Sequence, residues 1–486
     1  MSRCLPNAAS RLSAPDVLNE SPTMTLDRRD FLTTASLGAV VASLPTLSGC
    51  AAPAAVTPAT AAPATAARPQ PFLIGGQSQP LLARGRAPRV VVCGGGWGGL
   101  AVAKTLRRLA PQAEVVMLER NSSFFSCPMS NKWLVDVVDT QFLMHDYLRV
   151  SERHGYRHLQ CEILSIDRDA KRVVTHLGWL DYDYLVLSPG IRYGYEAWFG
   201  NDRRAAEATR ARFPAAYVPN AEHFALKRAL HEFKGGEWVM NLPPPPQRCP
   251  PSPYERACLV AWWFKTHHIK GHITILDHKD GVRPIGPGFR AAFTELYKDY
   301  ITYVPNAHVQ EVDPFNRRIK TKAGDLQFDH AVLMAPHQAG DLAWKAGAIG
   351  STAEGKPTGW AAVDPLMLNL KTDPDVYVIG DAVGQVSPQF MFYPKAGHVA
   401  NQHGQIVARY LVERLAGRQP KPALPDNLCY MLVNGEPREA ISVQFDYQVN
   451  AQGIIEQSQI DDNDRRADLV TEDFRWYGRM TEELLA

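Results

Sequence analysis

Three glycines and one acid near residue 100 have the types and spacing that suit dinucleotide binding. Gly94, Gly96 and Gly99 follow the β-branched run Arg89–Cys93, which predicts a buried strand, and they open a helical pattern. Such glycines permit a tight turn, close approach of a pyrophosphate, and close packing of helix on strand. Glu119 ends the next predicted strand, 20 residues after Gly99, where an acid accepts a hydrogen bond from a ribose hydroxyl. The pattern predicts a doubly wound nucleotide-binding fold, with the helix N-terminus facing the phosphates.

A second motif, far along the chain, indicates which dinucleotide is bound. A β-branched strand pattern leads into Gly380 and Asp381. In flavoproteins built from two dinucleotide-binding folds, an aspartate at this place hydrogen-bonds the ribityl chain of FAD. The segment Tyr182–Gly190 holds the place of the strand and turn that return past the cofactor. Together the motifs predict FAD, with Gly190, Gly380 and Asp381 as further binding residues.

A second doubly wound unit is predicted between residues 226 and 334, but its nucleotide site looks closed. A nucleotide-binding turn would carry glycines after the first strand, whereas the loop Leu242–Pro251 is rich in proline. Prolines have no amide hydrogen for a phosphate, and their rings hold the backbone away from a ligand. We therefore predict that this unit does not bind NAD(P)H. Its predicted strand, helix and strand are Glu237–Asn241, Ala257–Lys265 and His272–Leu276.

Five segments together resemble a known family, the flavoprotein subunit of flavocytochrome c sulfide dehydrogenase, which is related to the sulfide:quinone oxidoreductases. The resemblance extends from about residue 88 to the C-terminus, and the stretch Cys249–Arg256 is its most specific part. It implies a glutathione-reductase-type flavoprotein with a C-terminal interface domain, which oxidises sulfide and passes electrons to a c-type cytochrome subunit. The segments are Val90–Gly99, Phe124–Asn131, Arg248–Ala257, Gly380–Ala382 and Asn427–Tyr430.

The resemblance implies roles for four residues. Cys127 matches the cysteine that bonds covalently to the 8α-methyl group of FAD, and a buried cysteine packed against the isoalloxazine is the alternative. Asn131, in the same segment, is expected beside the cofactor. Cys249 matches one of two redox-active cysteines, and Glu255 matches the active-site carboxylate. Glu255 would accept a proton from the substrate, whereas its structural interpretation is a carboxylate stabilised at a helix N-terminus.

One position departs from the family pattern. The family's partner cysteine follows the Gly-Asp-Ala of the second motif, where this chain has Val383. Valine cannot form a disulfide, and neither Cys161, Cys258 nor Cys429 is an obvious substitute from its place in the sequence. Three routes remain open. Cys249 acts alone, by holding a persulfide or bonding to the flavin; Cys258 serves after local rearrangement; or the substrate is not sulfide.

The segment Tyr393–His398 predicts the start of a helix, with Pro394 near its first position. In this flavoprotein class the positive end of that helix points at the flavin. We expect the helix dipole, together with Lys395, to stabilise the negative charge of the reduced flavin. A solvated surface position is the alternative for Lys395. The adjacent pair His267 and His268 is expected at the surface, and no metal site is predicted.

Composition excludes several classes of function. The chain has 486 residues, of which 45% are hydrophobic and 21% charged, which fits a folded protein of several domains. Its net charge is +2, so no basic field predicts nucleic acid as a partner. Eight cysteines are too few for a disulfide framework and are not spaced for a zinc cage. After residue 50 no apolar run approaches the roughly 18 residues of a membrane span.

The N-terminal residues predict an export signal rather than a domain. Arg28 and Arg29 precede a weak apolar run, which is typical of a Tat signal and of folded export to the periplasm. Leu47–Cys50 resembles a lipobox, which predicts a lipid anchor on Cys50 as the only attachment to the membrane. Ordinary cleavage in the Ala-rich stretch is the alternative. The Ala/Pro/Thr tract Ala51–Pro71 lacks periodicity and is expected to form an extended tether.

The predicted fold class is α/β. It comprises two doubly wound (Rossmann-like) dinucleotide-binding-type domains of the glutathione-reductase type and a C-terminal α+β interface domain. In that last domain Ile441–Val449 predicts a strand and Phe474–Leu485 an amphipathic helix. The predicted segments are the signal 1–50, the tether 51–85, the FAD domain 86–205 and 336–418, the second Rossmann-like domain 206–335, and the C-terminal domain 419–486.

The residues and the resemblance together favour an exported FAD-dependent oxidoreductase of sulfide or a related reduced-sulfur compound, with a c-type cytochrome as electron acceptor. Two alternatives stay open. In one, the flavoprotein oxidises a different small reductant or reduces a quinone. In the other, loss of the cysteine at Val383 has left a non-catalytic flavin electron-transfer partner.

Overall fold

The computed structural model describes residues 79–219 and 221–485, and the structural statements below concern these residues. In chain order the strands are β1 (Arg89–Cys93), β2 (Glu114–Glu119), β3 (Ser123–Phe125), β4 (Met144–Asp146), β5 (Arg157–Gln160), β6 (Ile163–Asp167), β7 (Arg172–Thr175), β8 (Trp179–Asp181), β9 (Tyr184–Leu187), β10 (Ile191–Tyr193), β11 (Gly235–Leu242), β12 (Lys270–Asp277), β13 (Ile301–Val304), β14 (Val309–Asp313), β15 (Arg318–Thr321), β16 (Gly324–Gln327), β17 (His330–Leu333), β18 (His337–Ala339), β19 (Ile349–Ser351), β20 (Pro357–Ala361), β21 (Asn369–Leu370), β22 (Asp373–Val378), β23 (Asn427–Gly435), β24 (Arg438–Val449) and β25 (Ile455–Arg466). The α-helices are α1 (Trp97–Leu109), α2 (Ser130–Leu134), α3 (Tyr147–His154), α4 (Glu196–Phe199), α5 (Arg203–Arg212), α6 (Ala221–Glu232), α7 (Ser252–Thr266), α8 (Gly286–Ala291), α9 (Asp341–Lys345), α10 (Gly397–Leu415) and α11 (Ala467–Leu485).

The first large sheet brings two distant parts of the chain together. Its strand order is β21-β22-β9-β1-β2-β5. Strand β1 runs parallel to both β2 and β9, and β22 runs parallel to β9. All five residues of β1 are buried, as expected for a central parallel strand covered on both faces. Because parallel strands end at the same edge, the turns after β1 and β22 lie at one edge of the sheet.

The second large sheet is also parallel, in the order β13-β12-β11-β17. Helix α7 follows β11 and connects it to β12, which gives the β-α-β unit predicted from the sequence. The predicted strands and helix are confirmed in kind, and each is longer than predicted. Helix α7 in particular begins at Ser252 and carries Pro253 in its first turn, where a missing amide costs nothing.

The C-terminal domain closes over the junction of these two units. It contains the antiparallel sheet β23-β24-β25 and helix α11. Helix α11 packs on β23 and β24, and β23 packs against α7. The predicted strand and helix are present but extend further than predicted, since β24 begins at Arg438 and α11 begins at Ala467.

One element prediction is wrong. The helix predicted to open near Pro394 is α10, and it begins three residues later, at Gly397. The Lys395 backbone forms a bridge with Arg248, and its carbonyl accepts a hydrogen bond from the Cys249 N–H at 2.8 Å. These tertiary bonds hold the residues before Gly397 extended, so they cannot enter the helix.

The predicted export signal, lipobox and most of the tether lie outside the described residues. Among the helices of residues 79–219 and 221–485, none is long and apolar enough to cross a membrane.

Candidate functional site

A large cavity lies at the edge of the first sheet where the turns after β1 and β22 meet. Its volume is about 360 Å³. It is lined by Gly94 and Gly96 after β1, by Glu119 at the end of β2, and by Gly380 and Asp381 after β22. Gly190, which follows β9, lines it as well. The structure thus brings together most of the residues predicted to bind a dinucleotide.

The glycine turn after β1 has the geometry that a pyrophosphate requires. Gly94 has φ +102°, which favours glycine, and an added Cβ would lie 2.4 Å from the Ser188 carbonyl oxygen. A Cβ on Gly99 would lie 1.9 Å from the Gly94 carbonyl oxygen, so Gly99 packs under the turn and does not line the cavity. A Cβ on Gly96 would meet nothing within 4 Å, which leaves open space beside the backbone. Helix α1 begins directly after Gly96, so its free amides face this space.

Glu119 is held at the cavity wall by backbone and side-chain donors. Its Oε2 accepts from the Gly95 N–H at 2.7 Å, and its Oε1 accepts from the Asn121 N–H at 2.9 Å. The glutamate therefore ties the end of β2 to the glycine turn. It stands where an acid would meet a ribose hydroxyl.

Asp381 offers one free acceptor to the large cavity. The side chain is buried, and its Oδ2 pairs with the Arg248 guanidinium Nε at 2.9 Å. Its Oδ1 is buried without a hydrogen-bond partner among the described residues. A buried carboxylate oxygen without a donor is costly unless a ligand supplies one. A hydroxylated chain such as the ribityl group of FAD fits this oxygen.

Lys395 is buried, and it is not the surface lysine of the alternative interpretation. Its Nζ donates to the backbone carbonyls of Asp381 at 2.7 Å and Val383 at 2.9 Å, and lies 3.8 Å from the centre of the Trp360 ring. Burial lowers the pKa of Lys395 to about 7, although the nearby Asp381 opposes the shift. The amine can therefore change charge near neutral pH.

A second, smaller cavity of about 80 Å³ adjoins the large one. Cys127, Arg248 and Gly397 line both cavities, so these three residues stand between them. Gly397 is the first residue of α10, which places the positive end of that helix at the boundary. The predicted active-site residues Cys249, Glu255 and Lys395 line the small cavity.

Glu255 is fixed by a buried polar network. Its Oε1 accepts from Lys132 Nζ at 2.9 Å and from the Leu432 N–H at 3.0 Å, and its Oε2 accepts from Asn131 Nδ2 at 2.8 Å. Asn131 in turn accepts from Arg256 Nε at 2.9 Å. The structure places Asn131 at the small cavity, where it supports Glu255, and Asn131 does not line the large cavity; its predicted place beside the cofactor stays a prediction.

Two members of this network were missed by sequence reasoning. Lys132 also pairs with Asp473 Oδ2 at 2.9 Å, and all three charged side chains are almost fully buried. Burial raises the pKa of Asp473 to about 6, although Lys132 opposes the shift. Burial lowers the pKa of Lys132, but the two carboxylates outweigh this effect and raise the pKa above its ordinary value, so the lysine remains charged. Asp473 also lines the small cavity and can hold a proton there near neutral pH.

Three cysteines lie at the small cavity: Cys127, Cys249 and Cys429. Cys249 has φ +47°, an unusual conformation for a residue other than glycine. Burial raises the pKa of all three thiols, and for Cys127 the nearby Arg248 partly offsets the rise. Sequence position had given no reason to pair Cys429 with Cys249, because 180 residues separate them.

The other thiols and Val383 do not line the small cavity. Val383 is buried, and its carbonyl oxygen accepts from Lys395. Cys258 is completely buried on α7 and lines neither cavity, while Cys161 lines the large one.

In the second doubly wound unit, the acid at the position that would bind a nucleotide ribose is bonded to side chains of the unit itself. Asp277 ends β12, where an acid would meet a nucleotide ribose, and it is fully buried. Its Oδ2 accepts from the hydroxyl of Tyr303 at 2.9 Å and from the hydroxyl of Tyr254, and its Oδ1 pairs with Lys279 at 3.0 Å. The carboxylate has no free oxygen for a ribose. The loop after β11 adds the run Pro243–Pro246, whose members offer no amide hydrogens.

Two doubly wound units, the first of which has a cavity at its strand ends, are the arrangement of a known class, the pyridine nucleotide-disulphide oxidoreductases. Residues 88–197 match the model of that family. Residues 224–334 match the model of the central part of the flavoprotein chain of sulfide dehydrogenase (flavocytochrome c). The resemblance seen in the sequence is therefore confirmed, as is the predicted fold class of two dinucleotide-binding-type domains, and the chain carries the domains of a flavin-type oxidoreductase.

Individual proteins of this class are also similar to the chain in sequence or in fold. The mitochondrial sulfide:quinone oxidoreductase of Mus musculus is 24% identical over 378 residues, covering 74% of this chain and 78% of the relative. The solved sulfide:quinone oxidoreductase of Aquifex aeolicus has a TM-score of 0.63 at 18% identity, covering 82% of this chain and 91% of that one. Putidaredoxin reductase, solved in covalent complex with putidaredoxin, has a TM-score of 0.57 at 15% identity, covering 81% and 93%. At these identities the two structures establish the fold alone.

Proposed function

We propose that this chain is an FAD-dependent oxidoreductase that removes electrons from sulfide, or from a related small reduced-sulfur compound, and passes them to a c-type cytochrome. The observation that carries the proposal is the pair of adjoining cavities. One has the glycine turn and the free Asp381 oxygen that suit a dinucleotide, and the other is lined by both Cys249 and Asp473, whose carboxyl group can accept a proton.

The residues of the large cavity fit FAD. Gly94 and Gly96 would admit the pyrophosphate, Glu119 would accept from the adenosine ribose, and Asp381 would accept from the ribityl chain. Arg248 orients the Asp381 carboxylate through their ion pair. FAD, when bound, would supply the two-electron acceptor that oxidation of a thiol or sulfide requires.

The small cavity limits the substrate. A volume of about 80 Å³ admits a molecule of a few non-hydrogen atoms, such as hydrosulfide, and excludes a nucleotide. Cys249 supplies the sulfur that would bond to the substrate, and Asp473 supplies a base of suitable strength for its proton. Lys132, which is itself held by Glu255, orients Asp473.

A direct test is anaerobic titration of the purified full chain with sodium sulfide, followed by the absorbance of the oxidised flavin. We expect sulfide to bleach this absorbance in the natural protein and not in Cys249→Ser. Cys258→Ala, which alters a thiol outside both cavities, is expected to behave like the natural protein. A protein that binds flavin but is bleached only by another donor would contradict the proposed substrate.

A quinone is the second candidate acceptor, and the similarity to a sulfide:quinone oxidoreductase over 74% of the chain favours it. The flavocytochrome c family match favours the cytochrome. Steady-state assays with sulfide and either cytochrome c or a short-chain ubiquinone distinguish them. We expect the larger kcat/KM with the cytochrome.

We also propose that the protein is exported to the periplasm through the Tat pathway and that Cys50 carries the lipid. Arg28, Arg29 and the sequence Leu47–Cys50 support this proposal. Replacing both arginines by lysine should retain the protein in the cytoplasm, as judged by cell fractionation. Cys50→Ala should abolish labelling by a tagged fatty acid.

A further inference from the structure

The short segment Gln247–Pro253 carries Cys249 in an unusual backbone conformation. Cys249 has φ +47°, a conformation that costs free energy in a residue other than glycine and persists only where the surroundings enforce it. Pro250, Pro251 and Pro253 have no amide hydrogens, so only a few backbone bonds can fix the segment. Contacts with other parts of the chain must therefore impose its conformation.

Two backbone bonds connect the segment to distant elements. The Arg248 N–H donates to His337 Nδ1 at 2.9 Å, and the Cys249 N–H donates to the Lys395 carbonyl oxygen at 2.8 Å. Burial, followed by the positive charges of Arg248 and Lys395, lowers the pKa of His337 to about 3, so its ring is neutral at pH 7 and Nδ1 can accept. The amides of Arg248 and Cys249 are thus both held from outside the segment.

The side chains of Arg248 and Lys395 connect these bonds to Asp381. The Arg248 Nε pairs with Asp381 Oδ2 at 2.9 Å, and the Lys395 Nζ donates to the Asp381 carbonyl oxygen at 2.7 Å. The Arg248 Nη1 also donates to the Tyr217 carbonyl oxygen at 2.6 Å, which fixes the direction of the guanidinium group. One ion pair therefore joins a residue that lines the large cavity to the residue next to the thiol.

Asp381 is the point at which a ligand of the large cavity can act on this arrangement. Its Oδ2 is occupied by Arg248, whereas its Oδ1 is buried without a hydrogen-bond partner among the described residues. A hydroxyl group that donates to Oδ1 would fix the plane of the carboxylate and, with it, the orientation of the guanidinium group. Without that donor, the ion pair contains a buried oxygen whose hydrogen bonding is incomplete.

We infer that Arg248 is a positioning residue that couples occupancy of the large cavity to the backbone geometry of Cys249. A hydroxylated ligand on Asp381 stabilises the ion pair, and the ion pair holds Arg248 and the adjacent cysteine in place. The inference rests on the proposed binding of FAD and goes beyond it, because the reactive thiol is correctly placed only when the cofactor is bound. In the flavin-free protein the segment around Cys249 is less ordered.

Hydrogen–deuterium exchange measures this coupling without turnover, because the segment Gln247–Pro253 contains only four amide hydrogens. They belong to Gln247, Arg248, Cys249 and Ser252. Three of them are hydrogen-bonded, since the Ser252 N–H donates to the Cys249 carbonyl oxygen at 3.0 Å. Exchange of this one segment therefore reports the order around the thiol.

The full chain carrying Cys127→Ser is measured with and without FAD, so that the predicted covalent bond does not prevent removal of the cofactor. We expect FAD to slow exchange of the segment by about tenfold, the effect of roughly one added hydrogen bond on local stability. Arg248→Met in the same background should lose this slowing. Arg210→Met, which replaces an arginine of the large cavity whose partner is Glu222, should keep it. A merely structural role of Arg248 would change exchange equally with and without FAD.

ADP provides a second measurement that leaves Arg248 in place, and it decides the question if Arg248→Met does not fold. ADP carries the pyrophosphate but no ribityl chain, so at saturating concentration it should slow exchange of the glycine turn, residues 94–99, and leave the Cys249 segment unchanged. The inference is overturned if ADP and FAD slow the segment equally, if FAD slows it in folded Arg248→Met, or if FAD slows the glycine turn alone. A glycine turn that FAD does not slow would contradict the proposed function, and the inference with it.

Discussion

At the scale of single residues, the buried carboxyl of Asp473 gives the site a titrating group near neutral pH. Its pKa is raised to about 6, chiefly by burial, so the fraction that can accept a proton increases as the pH rises through 6. At saturating sulfide we expect kcat of the natural protein to follow this rise. Asp473→Asn should lose the rise and lower kcat at pH 7 by about 100-fold. Stopped-flow kinetics between pH 5 and 8 measure both effects, and an unchanged pH profile would remove Asp473 from the mechanism.

Lys395 makes a prediction about stability. Its pKa in the folded protein is about 7, below the ordinary 10.5, so between these values the unfolded chain binds more protons than the folded protein. The free energy of unfolding should therefore rise with pH in this window, with a contribution of up to about 1.4 kcal/mol per pH unit from this group. Lys395→Met should flatten the slope, and Lys265→Met, which alters an exposed lysine of α7, should not. Urea unfolding at pH 7.5 and 9.5 gives the comparison.

Cys127 is predicted to hold the cofactor covalently. It lies at the boundary of the two cavities, and the nearby Arg248 favours its thiolate despite burial. Bond formation removes one hydrogen from sulfur and one from the methyl carbon, with two electrons passing to an external oxidant. Acid-precipitated natural protein should stay yellow, and Cys127→Ser should give a colourless pellet with free flavin in the supernatant. A colourless pellet from the natural protein would instead support simple packing against the flavin.

The place of a functional residue in the site could be predicted from the sequence where the residue belongs to a motif. Gly94, Gly96, Glu119 and Asp381 reach one cavity as expected, because each follows a strand of one parallel sheet. Lys132 and Asp473 could not be found in this way. They are 341 residues apart, and no local spacing relates a lysine on α2 to an aspartate on α11.

At the scale of elements, two glycines of the turn between β1 and α1 are needed for different reasons, one for packing within the protein and one for space beside the ligand. Gly99→Ala would place a Cβ 1.9 Å from the Gly94 carbonyl, so it should lower the melting temperature of the protein and its flavin content together. Gly96→Ala meets no protein atom within 4 Å, so it should leave the melting temperature of the flavin-free protein unchanged. It should still weaken FAD binding, because its methyl group enters the space of the pyrophosphate. Calorimetry and flavin fluorescence measure the two quantities separately. Equal effects of the two variants would contradict this division.

Element boundaries were predictable only where local chemistry decides them. Pro253 in the first turn of α7 is such a local marker, but the sequence analysis did not use it and began the predicted helix at Ala257, five residues after its observed start at Ser252. Pro394 is a similar marker, but α10 begins at Gly397 because the backbone of Lys395 bonds to Cys249 and bridges to Arg248. The competing partner is about 145 residues away, and no periodicity near Pro394 reveals it.

At the scale of the whole molecule, residues 79–219 and 221–485 form two folds of the nucleotide-binding type, and the first carries the cavity that suits a dinucleotide. Asp277 is fully engaged by Tyr254, Tyr303 and Lys279, and the loop after β11 is proline-rich. We predict that NADH neither binds to the second unit nor bleaches the flavin on the stopped-flow timescale. Anaerobic mixing with NADH, beside a sulfide control, measures this. Rapid bleaching by NADH would show that the second unit still functions as a nucleotide site.

Sequence patterns predicted the domains of this chain but not how the domains pack on one another. The two parallel sheets follow from β-branched runs alternating with helices, and both were predicted. The position of the C-terminal sheet over α7 was not, because the contacts of β23 depend on the relative placement of three domains. Cys429 lies on this sheet, so its place at the same cavity as Cys249 was not predicted.

The ion pair between Lys132 and Asp473 has a consequence for biosynthesis. Asp473 lies 341 residues after Lys132, so the partner of Lys132 is synthesised long after the lysine itself. A nascent chain that already contains both large sheets and Cys249 still has a buried ammonium group paired with Glu255 alone. The cavity that Cys249 lines is therefore complete only after α11 has been synthesised, and a chain broken off before α11 would lack one of the two carboxylates that pair with Lys132.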